Sequence, residues 1–399
     1  MNPMRKAAPG LLFSWTGLLF LVVKHAVTVA FKVGVGDLVP EFEAHALVFR
    51  RSRQPARTVT ARALQALLDI LYDLRVFIET NLHILQTSVP FYSICVRRAA
   101  PFRRPDTGGN GMYGDCHIHM VLDGVYYRDA IDAHRTGVRD DLIRQRLDAY
   151  ARAGVIYLRD GGDAFGVCNR ARALAAEYGI EYRIPCFPIC MKGRYGQFIG
   201  RSFETLADYR ALVAEVAGSG GDCIKLMLSG LMDFDRFGVV TGEPLPAHQI
   251  REMIRIAHGE GFSVMAHVNG AQAIMDALEG GVDSVEHGAY MDAETVTAMA
   301  QSNAVWVPTL STVGNLIGVG RYSDEALQCI LDNQINNIAE CARQGGSIAL
   351  GSDAGAYRVF HASAVMDEYA LLRRALADGT DAVLAAGEAR IRRRFRRDC

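Results

Sequence analysis

Beyond residue 112 the chain repeats one pattern. A short apolar run ends at Gly, Asp or Asn, and a longer stretch with apolar residues at helical spacing follows. Eight such runs fall at residues 115–120, 155–159, 182–189, 223–228, 263–268, 284–287, 304–310 and 347–351. Amphipathic stretches lie between them at 140–153, 164–178, 206–217, 246–260, 271–279, 292–302 and 324–344. Runs this short and this continuously apolar are the pattern of strands buried on both faces. Strand–helix alternation repeated eight times predicts an α/β fold, a closed parallel (β/α)8 barrel of the TIM type, with a doubly wound open sheet as the alternative. Chemistry in such a barrel lies at the carboxyl ends of the strands. Polar residues late in each run therefore carry the most information.

Residues 1–111 do not share the pattern. Residues 1–6 are basic, and 11–31 are mostly apolar but interrupted by Lys24 and His25. The best apolar core, 11–23, has the size of a signal-peptide core and is short for a membrane-spanning helix. An Arg-rich stretch follows (Arg50, Arg51, Arg53, Arg57, Arg62), then helical apolar spacing over 61–85, then a linker-like 101–111. The chain thus divides into an atypical N-terminal segment, 1–111, and a barrel domain, 112–399. The segment reads as a membrane anchor, a small helical domain, a poorly ordered tail, or sequence upstream of a true start at Met112.

Charge changes at the same place. Residues 1–111 hold 14 Lys/Arg against 7 Asp/Glu, and residues 112–399 hold 29 against 37. An acidic barrel domain argues against nucleic acid as a main partner, because phosphate binding needs a basic face. The nine cysteines are odd in number and form no CxxC pair, which suits free thiols in a reducing compartment. A cytoplasmic location is expected, with the N-terminal apolar stretch as the feature that would attach the chain to a membrane. A small-molecule substrate is the expected partner, and the sequence is compatible with a homo-oligomer without setting the oligomeric state.

Six residues near the ends of apolar runs carry the candidate chemistry. His117 and His119, in GDCHIHM, are two apart in an expected strand, so both imidazoles face one side. Lys225 lies in the apolar run CIKLM, where a lysine is costly unless it is paired or neutral. A neutral amine beside cations takes up carbon dioxide, and the resulting carbamate has two oxygens that can bridge metals. His267 in MAHVNG and His287 in VEHG close successive runs. Asp353 in GSDAG reads as a metal-touching general base, or more plainly as a helix N-cap. Glu286 is placed on the opposite face from His287, in a salt bridge or supporting role.

The set GDCHIHM, IKLM, MAHVNG, VEHG and GSDAG resembles the amidohydrolase superfamily, and within it the imidazolonepropionase and Xaa-Pro dipeptidase-like branch. The resemblance spans residues 112 to about 370 and implies a distorted (β/α)8 barrel with one or two divalent metals, often zinc. His117, His119 and Asp353 would hold the more buried metal. His267 and His287 would hold the second, with carboxylated Lys225 as the bridge. Most members also carry a flanking β-sandwich. Here the residues after Asp353 read as helices, including a basic amphipathic stretch at 382–395, so a barrel lacking a complete sandwich is expected.

The activity so implied is hydrolysis of an amide C–N bond in a small peptide-like or cyclic substrate, with Asp353 as catalytic base. The alternatives are a mononuclear deaminase, a lactonase or phosphoesterase of the same superfamily, and a non-catalytic binding barrel. Candidate substrate contacts come from the loops after strands: Arg159 in RDGGDAFG; Lys192, Arg194 and Tyr195 in MKGRYGQFIGR; and His361 after Asp353.

Overall fold

The structure, a computed structural model, describes residues 113–397. They fall in one compact unit, Arg98–Cys399. The expectations for residues 1–111, including the apolar stretch 11–31, the helical pattern at 61–85 and the linker, lie outside the described residues, as does a start at Met112. Among the described residues, no helix is long and apolar enough to cross a membrane.

Among the described residues, ten strands and eleven helices alternate. The strands are β1 Asp115–Ile118, β2 Tyr157–Asp160, β3 Glu181–Arg183, β4 Pro188–Met191, β5 Arg201–Phe203, β6 Cys223–Met227, β7 Ser263–Val268, β8 Ser284–His287, β9 Val305–Val307 and β10 Ser347–Ile348. The helices are α1 Tyr127–Asp132, α2 Asp140–Arg152, α3 Val167–Ala175, α4 Leu206–Gly218, α5 Ala247–Gly259, α6 Ala271–Glu279, α7 Ala293–Gln301, α8 Ser311–Gly314, α9 Asp324–Arg343, α10 Ala364–Leu376 and α11 Thr380–Arg394. Local chemistry supports the boundaries. Thr205 and Asp208 form a capping box at the start of α4, and Asp292 and Ser323 cap α7 and α9.

Every ladder between the named strands is parallel. β1-β2-β3 form one sheet and β10-β9-β8-β7-β6-β4-β5 the other. The two meet through backbone bonds beyond β10: Cys116 N to Leu350 O at 2.9 Å, Asp353 N to His117 O at 2.7 Å and His119 N to Ala354 O at 2.8 Å. The order and pairing match a TIM-type barrel. Among the described residues no sandwich accompanies it, and the chain after Asp353 forms α10 and α11.

The single strand expected over 182–189 is two. β3 pairs with β2, β4 pairs with β6, and the chain turns between them at Pro185 and at Cys186, whose φ is 63°. A left-handed residue cannot continue a ladder, so one apolar run serves both sheets. The loop expected after it ends in a strand of its own, β5.

Alternation sorts the interior into layers. Cys116, Tyr157, Cys223, Met265, Val305 and Ala349 form a lower apolar cluster, which Ile391 and Phe395 from the end of α11 complete. Two residues further along several of these strands come Arg159, Lys225 and His267. On β1 the register with β2 slips between Asp115 and Ile118. A bulge of this kind lets Cys116 join the lower cluster while His117, the next residue, also reaches the interior.

Candidate metal centre

The ends of β1, β6, β7, β8 and the segment after β10 converge. His117, His119 and Asp353 each offer one donor atom to a common point. Oδ1 of Asp353 is 3.6 Å from Nε2 of His117 and 3.6 Å from Nε2 of His119. That is too long for a hydrogen bond. It is close to the spacing of two donors on one tetrahedral zinc, about 3.3–3.6 Å for bonds of about 2.0–2.2 Å. Nζ of Lys225 is 3.4 Å from Nε2 of His117. The His287 ring centroid is 5.1 Å from that of His117 and 4.6 Å from that of His267. Two buried imidazoles and a half-buried carboxylate, facing one another without a bond between them, fit a cation.

Backbone conformation aims two of these side chains. His287 has a φ of 64° and Asp353 a φ of 59°. Left-handed backbone is uncommon for residues other than glycine and costs of order 1–3 kcal/mol, and it clusters at functional sites. At His287 it ends the alternation of β8. It brings the His287 ring in from the face opposite Ser284 and Glu286, so two neighbouring residues reach the interior and Glu286 does not lie away from the centre. It faces inward, and its Oε2 accepts from Nδ1 of His117 at 2.7 Å.

Supporting bonds orient the rings. Glu286 holds His117 at Nδ1, which leaves Nε2 for the centre. Thr309 Oγ1 lies 2.7 Å from Nδ1 of His287, again leaving Nε2. Nε2 of His267 donates to Gly230 O at 3.1 Å, leaving Nδ1. Such partners set the tautomer and direction of a metal-binding histidine. A contact across 169 positions leaves no local signal in the sequence.

Burial dominates the proton affinities. It drives His117 and His287 far below the ordinary histidine range, and it lowers His119 and His267 to about 3. All four rings are therefore neutral near pH 7, the form that binds metal. Desolvation lowers the Lys225 amine and raises the Asp353 carboxyl.

Among the expected substrate contacts, only Tyr195 reaches the centre, its ring 4.8 Å from that of His267. Arg159 does not: it is fully buried, giving Nη2 to both oxygens of Glu286 at 2.8 and 3.0 Å, Nη1 to Ser284 at 2.8 Å and Nε to Cys116 O at 2.6 Å. A buried guanidinium needs such partners, so Arg159 positions Glu286 beneath the site. Lys192 extends outward to Glu204 at 2.5 Å. Arg194 donates to Glu243 O at 2.9 Å, across a cavity of about 140 Å³ that Tyr195, Met227 and Gly230 also line. His361 is held beside the mouth, 2.8 Å from Leu122 O and 3.2 Å from the Tyr150 hydroxyl.

Comparison with known proteins follows the same lines. The amidohydrolase family model matches residues 203–389. An uncharacterized protein of Mycobacterium tuberculosis is 28% identical over 190 residues, 45% of this chain and 49% of that protein. The chain thus spans about half the length of the curated relatives it matches. A Xaa-Pro dipeptidase structure with bound methionine in its active site is 18% identical with a TM-score of 0.56, covering 68% of this chain and 72% of that one. A prolidase complexed with N-methylphosphonate-L-proline is 20% identical with a TM-score of 0.53, covering 70% and 74%. The match to the amidohydrolase family model thus covers residues 203–389, and the fold is similar to that of Xaa-Pro dipeptidase and prolidase structures.

Proposed function

We propose that this chain is a metal-dependent hydrolase that cleaves the amide C–N bond of a small peptide-like or cyclic substrate, at the mouth of a closed barrel formed by the domain after residue 111. The observation that carries the reading is the convergence of Asp353 Oδ1 with the Nε2 atoms of His117 and His119, at 3.6 Å each. His117, His119 and Asp353 would hold one divalent cation. His267 and His287 would hold a second, with Lys225 between them. Imidazole and carboxylate donors suit zinc. Such cations, when bound, acidify a water and polarise a carbonyl.

The side chains do the rest. Burial keeps the four imidazoles unprotonated, so their lone pairs are available. Asp353, with a carboxyl raised by burial, takes a proton at Oδ2, the oxygen not assigned to the cation, and passes it to the departing nitrogen. The lowered amine of Lys225 attacks carbon dioxide: an N–C bond forms, one proton leaves, and a carbamate with two oxygens results. A cytoplasmic setting agrees with the unpaired thiols among the described residues.

The test is hydrolysis of a dipeptide library that includes Xaa-Pro members, with cyclic amides and lactones beside it. The assays are run before and after chelation and after zinc is restored. Amide turnover that chelation abolishes and zinc restores is expected. Turnover confined to lactones, phosphoesters or deamination would replace the amide reading. Lys225→Ala should abolish turnover, and unchanged turnover in that variant would remove the bridge.

A further inference from the structure

A line of aromatic rings connects the centre to the surface. Tyr195 lies against His267, with 4.8 Å between ring centroids. Phe198 is 5.8 Å from Tyr195, Tyr127 meets Phe198 edge-on at 5.3 Å, and Tyr126 is 5.8 Å from Tyr127. Two segments supply these rings, the stretch from β1 into α1 and the turn between β4 and β5. Both follow strand carboxyl ends, where this fold builds its sites.

The outer end of the line is open. Val125, Tyr126 and Tyr127 are 60%, 46% and 40% exposed. Exposed apolar surface continuous with a buried polar centre has the composition of a recognition site. The expected cationic contacts are occupied meanwhile, Lys192 by Glu204, Arg194 by Glu243 and Arg159 by Glu286. Aromatic rings line the route beside His267.

We propose that Tyr195, Phe198, Tyr127 and Tyr126 form a side-chain subsite for an aromatic or large apolar group on the amide substrate. The proposal rests on the hydrolase reading of the same site. Rings in edge and offset contact give a flat substrate group further faces and edges to pack against. Tyr195 sets the depth at which that group stops, because it touches the ligand candidate His267.

The test uses the zinc-loaded full chain and two amides that differ in one group, N-phenylacetylglycinamide and N-acetylglycinamide. A kcat/KM ratio of at least about tenfold in favour of the phenylacetyl compound is expected. Phe198→Ala should bring the ratio towards one. Tyr127→Ser, a change at an exposed ring, should lower it in the same direction and serves if Phe198→Ala does not fold. A wild-type ratio near one, or a ratio that neither variant moves, overturns the subsite. Binding of both amides is followed in parallel by ligand-observed NMR. If neither amide is hydrolysed but the phenylacetyl compound binds selectively and Tyr127→Ser weakens it, the subsite stands and the amide reading falls. Equal binding of the two compounds overturns the subsite whatever the turnover.

Discussion

Replacing Glu286 by Gln tests the chain of bonds that holds His117 in place. The carboxylate makes two contacts with Arg159, at 2.8 and 3.0 Å, and one with Nδ1 of His117 at 2.7 Å, all fully buried. Glutamine keeps the shape but removes the charge. Arg159 is then left with Cys116 O, Ser284 and the Phe395 ring, 4.4 Å beneath its guanidinium. Breaking a buried ion pair on one side costs about 3–5 kcal/mol, and the amide oxygen that remains puts the loss near the lower figure. The His117 ring also loses a charged acceptor. Loss of such a supporting partner lowers metal affinity about 10–100-fold, or about 1.4–2.8 kcal/mol. Urea unfolding of the chelated protein reads the first effect, and zinc competition against a chromophoric chelator reads the second. Both losses are expected together. Zinc affinity within about twofold of wild type would refute the positioning of His117 by Glu286, even if stability falls.

Two further outcomes are expected. A methyl group at Gly161 would stand 2.3 Å from Cε1 of His119, so Gly161→Ala must displace that ring. Overpacking of about 1–3 kcal/mol and a zinc affinity at least about tenfold weaker should result, and an unchanged affinity in titration would show that the approach is not close. Glu368 is fully buried, accepts from Leu310 N and from Ser311 N and Oγ, and is raised by desolvation from 4.5 to about 8. Between those values the folded chain binds the proton and the unfolded chain does not. Stability therefore falls as pH rises through that window, by up to about 1.4 kcal/mol per unit. Glu368→Gln has no such titration. Its urea midpoint relative to wild type should rise from pH 5 to pH 8, and a constant difference would refute the assignment.

Much of the scaffold was legible from apolar spacing alone. Runs buried on both faces stand out against amphipathic helices, and Ala271–Glu279 has the bounds expected for it. His117, His119, Lys225, His267, His287 and Asp353 drew notice because polar residues late in such runs are costly without a purpose. The breaks in regularity were not legible. Left-handed Cys186 splits one run into β3 and β4, and left-handed His287 brings its own ring to the interior beside Glu286. A slip of register on β1 brings neighbouring residues to the interior. None of these follows from a period of two.

The sequence by itself determined the alternation of strands and helices and the order of the polar residues that close the strands. These depend on short-range periodicity, which burial imposes residue by residue. Only the tertiary structure decided what each charge meets. Arg159 goes to Glu286, Lys192 to Glu204 and Arg194 to Glu243, while Tyr195 takes the place beside His267. A guanidinium or an ammonium has the same character in a loop whether it faces solvent, a carboxylate or a ligand. Groups from distant segments, brought within about 3 Å, make that choice.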